Sequence, residues 1–137
     1  MMKKIFYLII LLFTCAVNLT AHVKFDPEKF KAELHQYIII SANLSEQEAA
    51  CFLSLYDAMQ SKQRVLHKQI RQYQKSKPTN NTVARNTIIR CDDLHIQMKR
   101  IEKEYHLKML KVLSAVKLNE ALKAARKFHR QYFRKNT

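Results

Sequence analysis

Cys91 and His95 stand four residues apart, the spacing that points two side chains from one face of a helix, and thiolate and imidazole are both good ligands for zinc and related ions. If the chain turns back on itself near Thr79 and Asn80, His67 falls close to Cys91 and Asp92, which would complete a three-ligand cluster. The chain holds no CxxC and no HExxH, and Cys91 already has a place on an apolar stripe. The expectation is therefore that no metal is bound, with Cys91, His95 and His67 as the candidates if one is. Glu102 and His106 share a face at a spacing common on solvated helices, and His35, His106 and His129 read as surface or boundary residues. Cys51 and Cys91 invite a disulfide in an exported protein. In an antiparallel hairpin turning at Thr79, however, they would lie roughly 25 Å apart, against a Cα separation limit near 7 Å. Two buried thiols are expected, with a bridge between molecules as the alternative. No nucleophile, base and oxyanion site are set out as a group, so neither an enzyme nor a cofactor is expected.

The elements that must position these residues follow from an unusual composition. Among 137 residues there is no glycine, where about 7% is usual. Without it there is no P-loop, dinucleotide fingerprint, standard calcium loop or nucleophile elbow, and tight hairpins lose their favoured turn residue. The expected fold is all-α with short polar connections.

Residues 1–21 read as a secretory signal: Lys3 and Lys4 supply positive charge, and Ile5 to Phe13 form an uninterrupted apolar run too short to span a bilayer. Cleavage is placed after Ala21, with Ala16 as the competing site; an uncleaved anchor and lipidation at Cys15 are the weaker readings. Residues 22–137 then form a single domain with 23 Lys and Arg against 11 acids, a net charge of +12. Such a balance ordinarily points to nucleic acid, which an exported protein does not normally meet. Anionic lipids or acidic unfolded chains are the expected partners.

Asp26 is a good N-cap, with Pro27 in the first helical position, and Phe30, Leu34, Tyr37 and Ile38 recur at helical spacing up to about Ser41 to Asn43. Ser45 and Glu48 form a capping box, with Leu44 as its apolar staple. From there the pattern runs unbroken to Lys77, with Phe52, Met59, Leu66 and Tyr73 repeating by seven and Tyr56 and Ile70 beside them. The segment from Lys77 to Asn81 is the one strong turn, its asparagines supplying the backbone freedom that glycine normally would. A second long helix carries Cys91, Met98, Tyr105 and Val112 by sevens, with Leu94 and Ile101 between them. The two rods pack antiparallel, because neither buries its stripe alone. Leu113 and Ser114 then repeat the earlier cap, with Leu118 as staple partner. The last helix sets Leu118, Leu122, Ala125, Phe128, Tyr132 and Phe133 on one side. Its other side holds Lys123, Arg126, Lys127, Arg130, Arg134 and Lys135, with no acid after Glu120. That basic face could rest on a membrane surface, although its apolar side is needed to pack on the hairpin.

At the two Leu-Ser caps the chain resembles the Spy/CpxP family of small periplasmic helical proteins, whose repeated signature is Leu-Thr-x-x-Gln at helix starts. The copies here are Leu44-Ser45-Glu46-Gln47-Glu48 and Leu113-Ser114-Ala115-Val116-Lys117, with Ser for Thr and with Glu48 or Lys117 where Gln belongs. The segment from Glu48 to Tyr56 is similar to Glu-Ala-Ala-x-Phe-x-x-Leu-Tyr in Bacteroidetes members of Spy/CpxP type. The stretches from Glu104 to Leu113 and from Arg126 to Arg130 resemble them as well. The resemblance implies a long helical hairpin with shorter flanking helices, about four in all and often dimeric through the rods. It further implies ATP-independent chaperone activity toward unfolded or aggregating proteins, or an adaptor role in which the protein senses metal or envelope stress and docks on a membrane signalling partner.

Overall fold

The computed structural model describes residues 24–136, and the signal segment with its cleavage positions, Ala16 and Ala21, lies outside them. Within the described residues there are four α-helices and no strand: α1 (Pro27–Ser41), α2 (Glu46–Lys75), α3 (Asn81–Met109) and α4 (Ala115–Lys135). The chain divides into two compact units, one ending at Phe30 and one beginning at Lys31.

In the first unit, Asp26 caps α1 by accepting the amides of Glu28 and Lys29 on Oδ1 at 3.0 and 3.2 Å. The Phe25 and Phe30 rings sit 5.7 Å apart.

In the second unit, the helix starts follow local chemistry. Ser45 Oγ accepts the Glu48 amide at 3.1 Å while Glu48 Oε1 accepts the Ser45 amide at 3.0 Å, a complete capping box. Leu44 and Ala49 are buried beside it, as are Leu113 and Leu118 beside the Ser114 cap of α4. Asn80 caps α3 through Oδ1, which accepts the Val83 amide at 2.9 Å.

Asparagine does replace glycine, but not in the hairpin turn where it was expected. Asn80 is extended, at φ −136°, and the one positive φ among the described residues belongs to Asn43, at 50°. There the Leu44 amide donates to the Ile39 carbonyl and the Asn43 amide to that of Ile40, the paired bonds of a Schellman ending for α1.

At about 1.5 Å per residue, α2 and α3 are each roughly 45 Å long. Their packing is uneven along that length. Near the caps all four helices contribute buried side chains, among them Ile38, Phe52, Met109 and Ala121, each at 0% exposure. The Tyr37 and Phe128 rings, 5.5 Å apart, carry α1 onto α4. Further along, Leu66, Ile70 and Leu94 form a smaller cluster with Met98 and Ile101 packed on it. Beyond Ile70, every residue from Arg71 to Val83 is exposed.

This layout corrects several expectations. Tyr73 and Val112 hold heptad positions but are exposed, Tyr73 because it lies past the last core layer. Phe133, assigned to the packed side of α4, is 49% exposed near the helix end. Helix α2 stops at Lys75, two residues early, where the Ser76 hydroxyl and amide both donate to the Tyr73 carbonyl. Cys51 is exposed and Cys91 half-buried, not two core thiols, and both are free. One position from Phe52 is a rotation of about 100° around the helix, enough to carry Cys51 off the stripe.

Candidate functional site

Helices α2, α3 and α4 enclose a cleft of about 510 Å³, within the size range of small-molecule sites. Its apolar surface comes from Met59 on α2 and from Leu122 and Ala125 on α4. One wall carries His67, His106 and His129, one imidazole from each helix. Arg126 and Arg130, a turn apart on α4, complete it with Glu102 of α3.

Register explains why these groups meet. The buried Gln63 directs its Nε2 to the Met98 carbonyl at 3.5 Å, and Leu66 packs with Leu94, so α2 and α3 run antiparallel with Cys91 opposite about residue 70. His67 therefore faces the same cleft as Glu102 and His106. His95 instead directs Nδ1 to the Cys91 carbonyl at 2.8 Å, a bond back into its own helix. Among the described residues no three His, Cys, Asp or Glu side chains gather closely enough to hold a metal ion, so Cys91, His95 and His67 are not brought together as a ligand set.

Charge in the cleft is unbalanced. Glu102 Oε2 accepts from Lys99 Nζ at 2.9 Å, and among the described residues neither arginine is ion-paired with a carboxylate. Tyr56, also lining the cleft, has its phenol pushed up to about 12, chiefly by burial and then by Asp57, with Arg126 pulling the other way. Burial pushes the His129 imidazole down from its usual range, disfavouring its charged form.

The six basic residues named on α4 are all exposed, but they do not act as one face. Arg126 and Arg130 line the cleft, whereas Lys123 turns to Glu120 at 3.3 Å. The cap residues have structural partners: Lys117 Nζ donates to Glu48 Oε1 at 2.6 Å and thereby joins the two caps. A further tie lies between α1 and α2, where Asp57 receives His35 Nε2 at 2.8 Å and Lys31 Nζ at 3.2 Å.

A second surface lies on the far half of the hairpin. Val83, Ile88 and Ile89 are 47%, 63% and 47% exposed there, near Tyr73. Between Asp57 and Asp92 the sequence has no acid and eight Lys and Arg. That acid-free run could have been found by tallying charge along the chain, just as the run after Glu120 was. The cleft had no comparable signal, because its lining comes from three segments whose register decides which histidines meet.

No described helix is long and apolar enough to cross a membrane. Comparison of the chain with protein-family models, with curated proteins and with solved structures found no match.

Proposed function

We propose that this is an exported, periplasmic protein of Spy/CpxP type that binds unfolded or aggregation-prone chains without ATP. The observation that carries this reading is the far half of the hairpin, where exposed Val83, Ile88 and Ile89 stand among cations with no acid from Ala58 to Cys91. Long-range attraction draws in acidic segments, and short-range burial of apolar side chains then holds them. Neither step needs a nucleotide cycle. Because exposed apolar groups on a firm helical frame do not collapse on one another, the surface stays available to a client whose own core is open.

The test is suppression of aggregation of a reduced or heat-treated client by the purified protein at near-stoichiometric ratio, without ATP, at low and high ionic strength. Suppression that weakens with salt is expected. No suppression at low salt, where steering is strongest, rejects the proposal. A pull-down that returns one stoichiometric envelope protein, and no spread of unfolded chains, favours an adaptor docked on a membrane signalling partner.

A further inference from the structure

We propose that the cleft between α2, α3 and α4 binds a small organic monoanion with an apolar body, of the class of medium-chain carboxylates. Arg126 and Arg130 lie four residues apart on α4, so both guanidinium groups reach the same opening, and guanidinium is the side chain best matched to a planar carboxylate. Neither is neutralised by a carboxylate of the protein among the described residues. The only acid in the lining, Glu102, is already bonded to Lys99 at 2.9 Å. A negatively charged group is therefore the missing complement.

Two features narrow the class. Met59, Leu122 and Ala125 offer apolar surface next to the arginines, which an inorganic anion leaves uncovered and an alkyl or aryl body buries. Glu102 shares the lining, so each added negative charge on the ligand meets a like charge, and a single carboxylate is favoured over a doubly charged phosphate. At about 510 Å³ the space suits a small molecule. The proposal does not rest on the chaperone reading, whose surface is the far half of the hairpin.

Decanoate, decanol and inorganic phosphate titrated calorimetrically into the purified protein provide the test. Decanoate is expected to bind one per chain, at least tenfold tighter than either of the others. Arg126→Gln with Arg130→Gln is expected to weaken decanoate at least tenfold, while Lys123→Gln with Lys127→Gln, the same charge loss on the same helix, changes it less than twofold. In the unsubstituted protein, decanoate should shift the ring resonances of His67, His106 and His129 and leave those of His35 and His95 in place. This measurement does not depend on any variant folding. Equal binding of decanol, equal loss in both double variants, or ring shifts spread over all the histidines would each overturn the proposal.

Discussion

Lys117 donates to Glu48 Oε1 at 2.6 Å, and the same oxygen accepts the Ser45 amide at 3.0 Å. These two residues hold the fifth position of the two Leu-Ser motifs, where the resembled family carries glutamine. Their departure from the signature is mutual: one is acidic, the other basic, and together they bind the start of α2 to the first turn of α4. A capping box is a local device, but here its carboxylate also does long-range work across 69 residues of chain.

The pair has a pH signature. The Lys117 hydrogen bond and the Ser45 amide hold the Glu48 carboxyl below its ordinary 4.5. The folded state thus binds fewer protons than the unfolded one around that value, so the contribution is complete above about pH 4.5 and is lost as pH falls through the lowered folded value. Glu48→Gln keeps a capping partner but not the charge, whereas Glu48→Ala loses both. The expected order of melting temperatures at pH 7 is unsubstituted, Gln, Ala, with the gap between the first two closing below pH 4.

Asn43 ends α1 at φ 50°, in the left-handed region where every residue but glycine meets steric resistance. In a chain without glycine, asparagine is the best available substitute. Asn43→Gly should raise stability by about 0.5–1 kcal/mol, and Asn43→Val should lower it by about 1–2 kcal/mol. Denaturant unfolding of the three proteins checks this, and an inverted order would mean that the turn is held by something other than its backbone conformation.

His129 gives a second, opposite-facing look at pH. Burial lowers its proton affinity in the folded state relative to the unfolded chain's usual 6.5, so the unfolded chain binds more protons as pH drops below that value. Stability is therefore full above about pH 6.5 and declines as pH falls toward the depressed folded value. The cleft's other charges, Arg126 and Arg130 on α4, His67 on α2, and Glu102 and His106 on α3, face the same space. In His129→Gln, the slope of melting temperature between pH 6.5 and 5 should flatten.

Much of the fold was legible because its signals are local. The Asp26, Ser45 and Ser114 caps, the apolar staples and the hairpin register each depend on residues within one helix start or one periodic stripe, and all appear where the spacing puts them. Tyr73 shows the limit of periodicity: a heptad position states which way a side chain faces, not whether anything lies there to cover it. Cys51 shows another, since a residue next to a core aromatic is not thereby in the core. The cleft was illegible for a third reason. His67 was assigned to Cys91, and His106 and His129 to solvent, because a rotation of less than one turn in register or packing changes which helix faces converge.

The uneven packing of the hairpin separates stability from binding. Leu94, at 1% exposure, anchors the outermost core layer with Leu66 and Ile70. Truncation to alanine removes buried methyls and leaves a cavity costing about 2–4 kcal/mol. Ile88 and Ile89 are 63% and 47% exposed on the same helix, so Ile88→Ser with Ile89→Ser removes little burial. That double variant should melt within about 2 °C of the unsubstituted protein, since surface changes usually stay within about 0.5 kcal/mol. If the hairpin surface receives clients, it should nevertheless lose most of its suppression of aggregation, while Leu94→Ala should retain suppression at temperatures where it is still folded. The reverse pattern, with serines harmless and Leu94→Ala inactive though folded, would move the working surface away from the far half of the hairpin and toward its core-supported end.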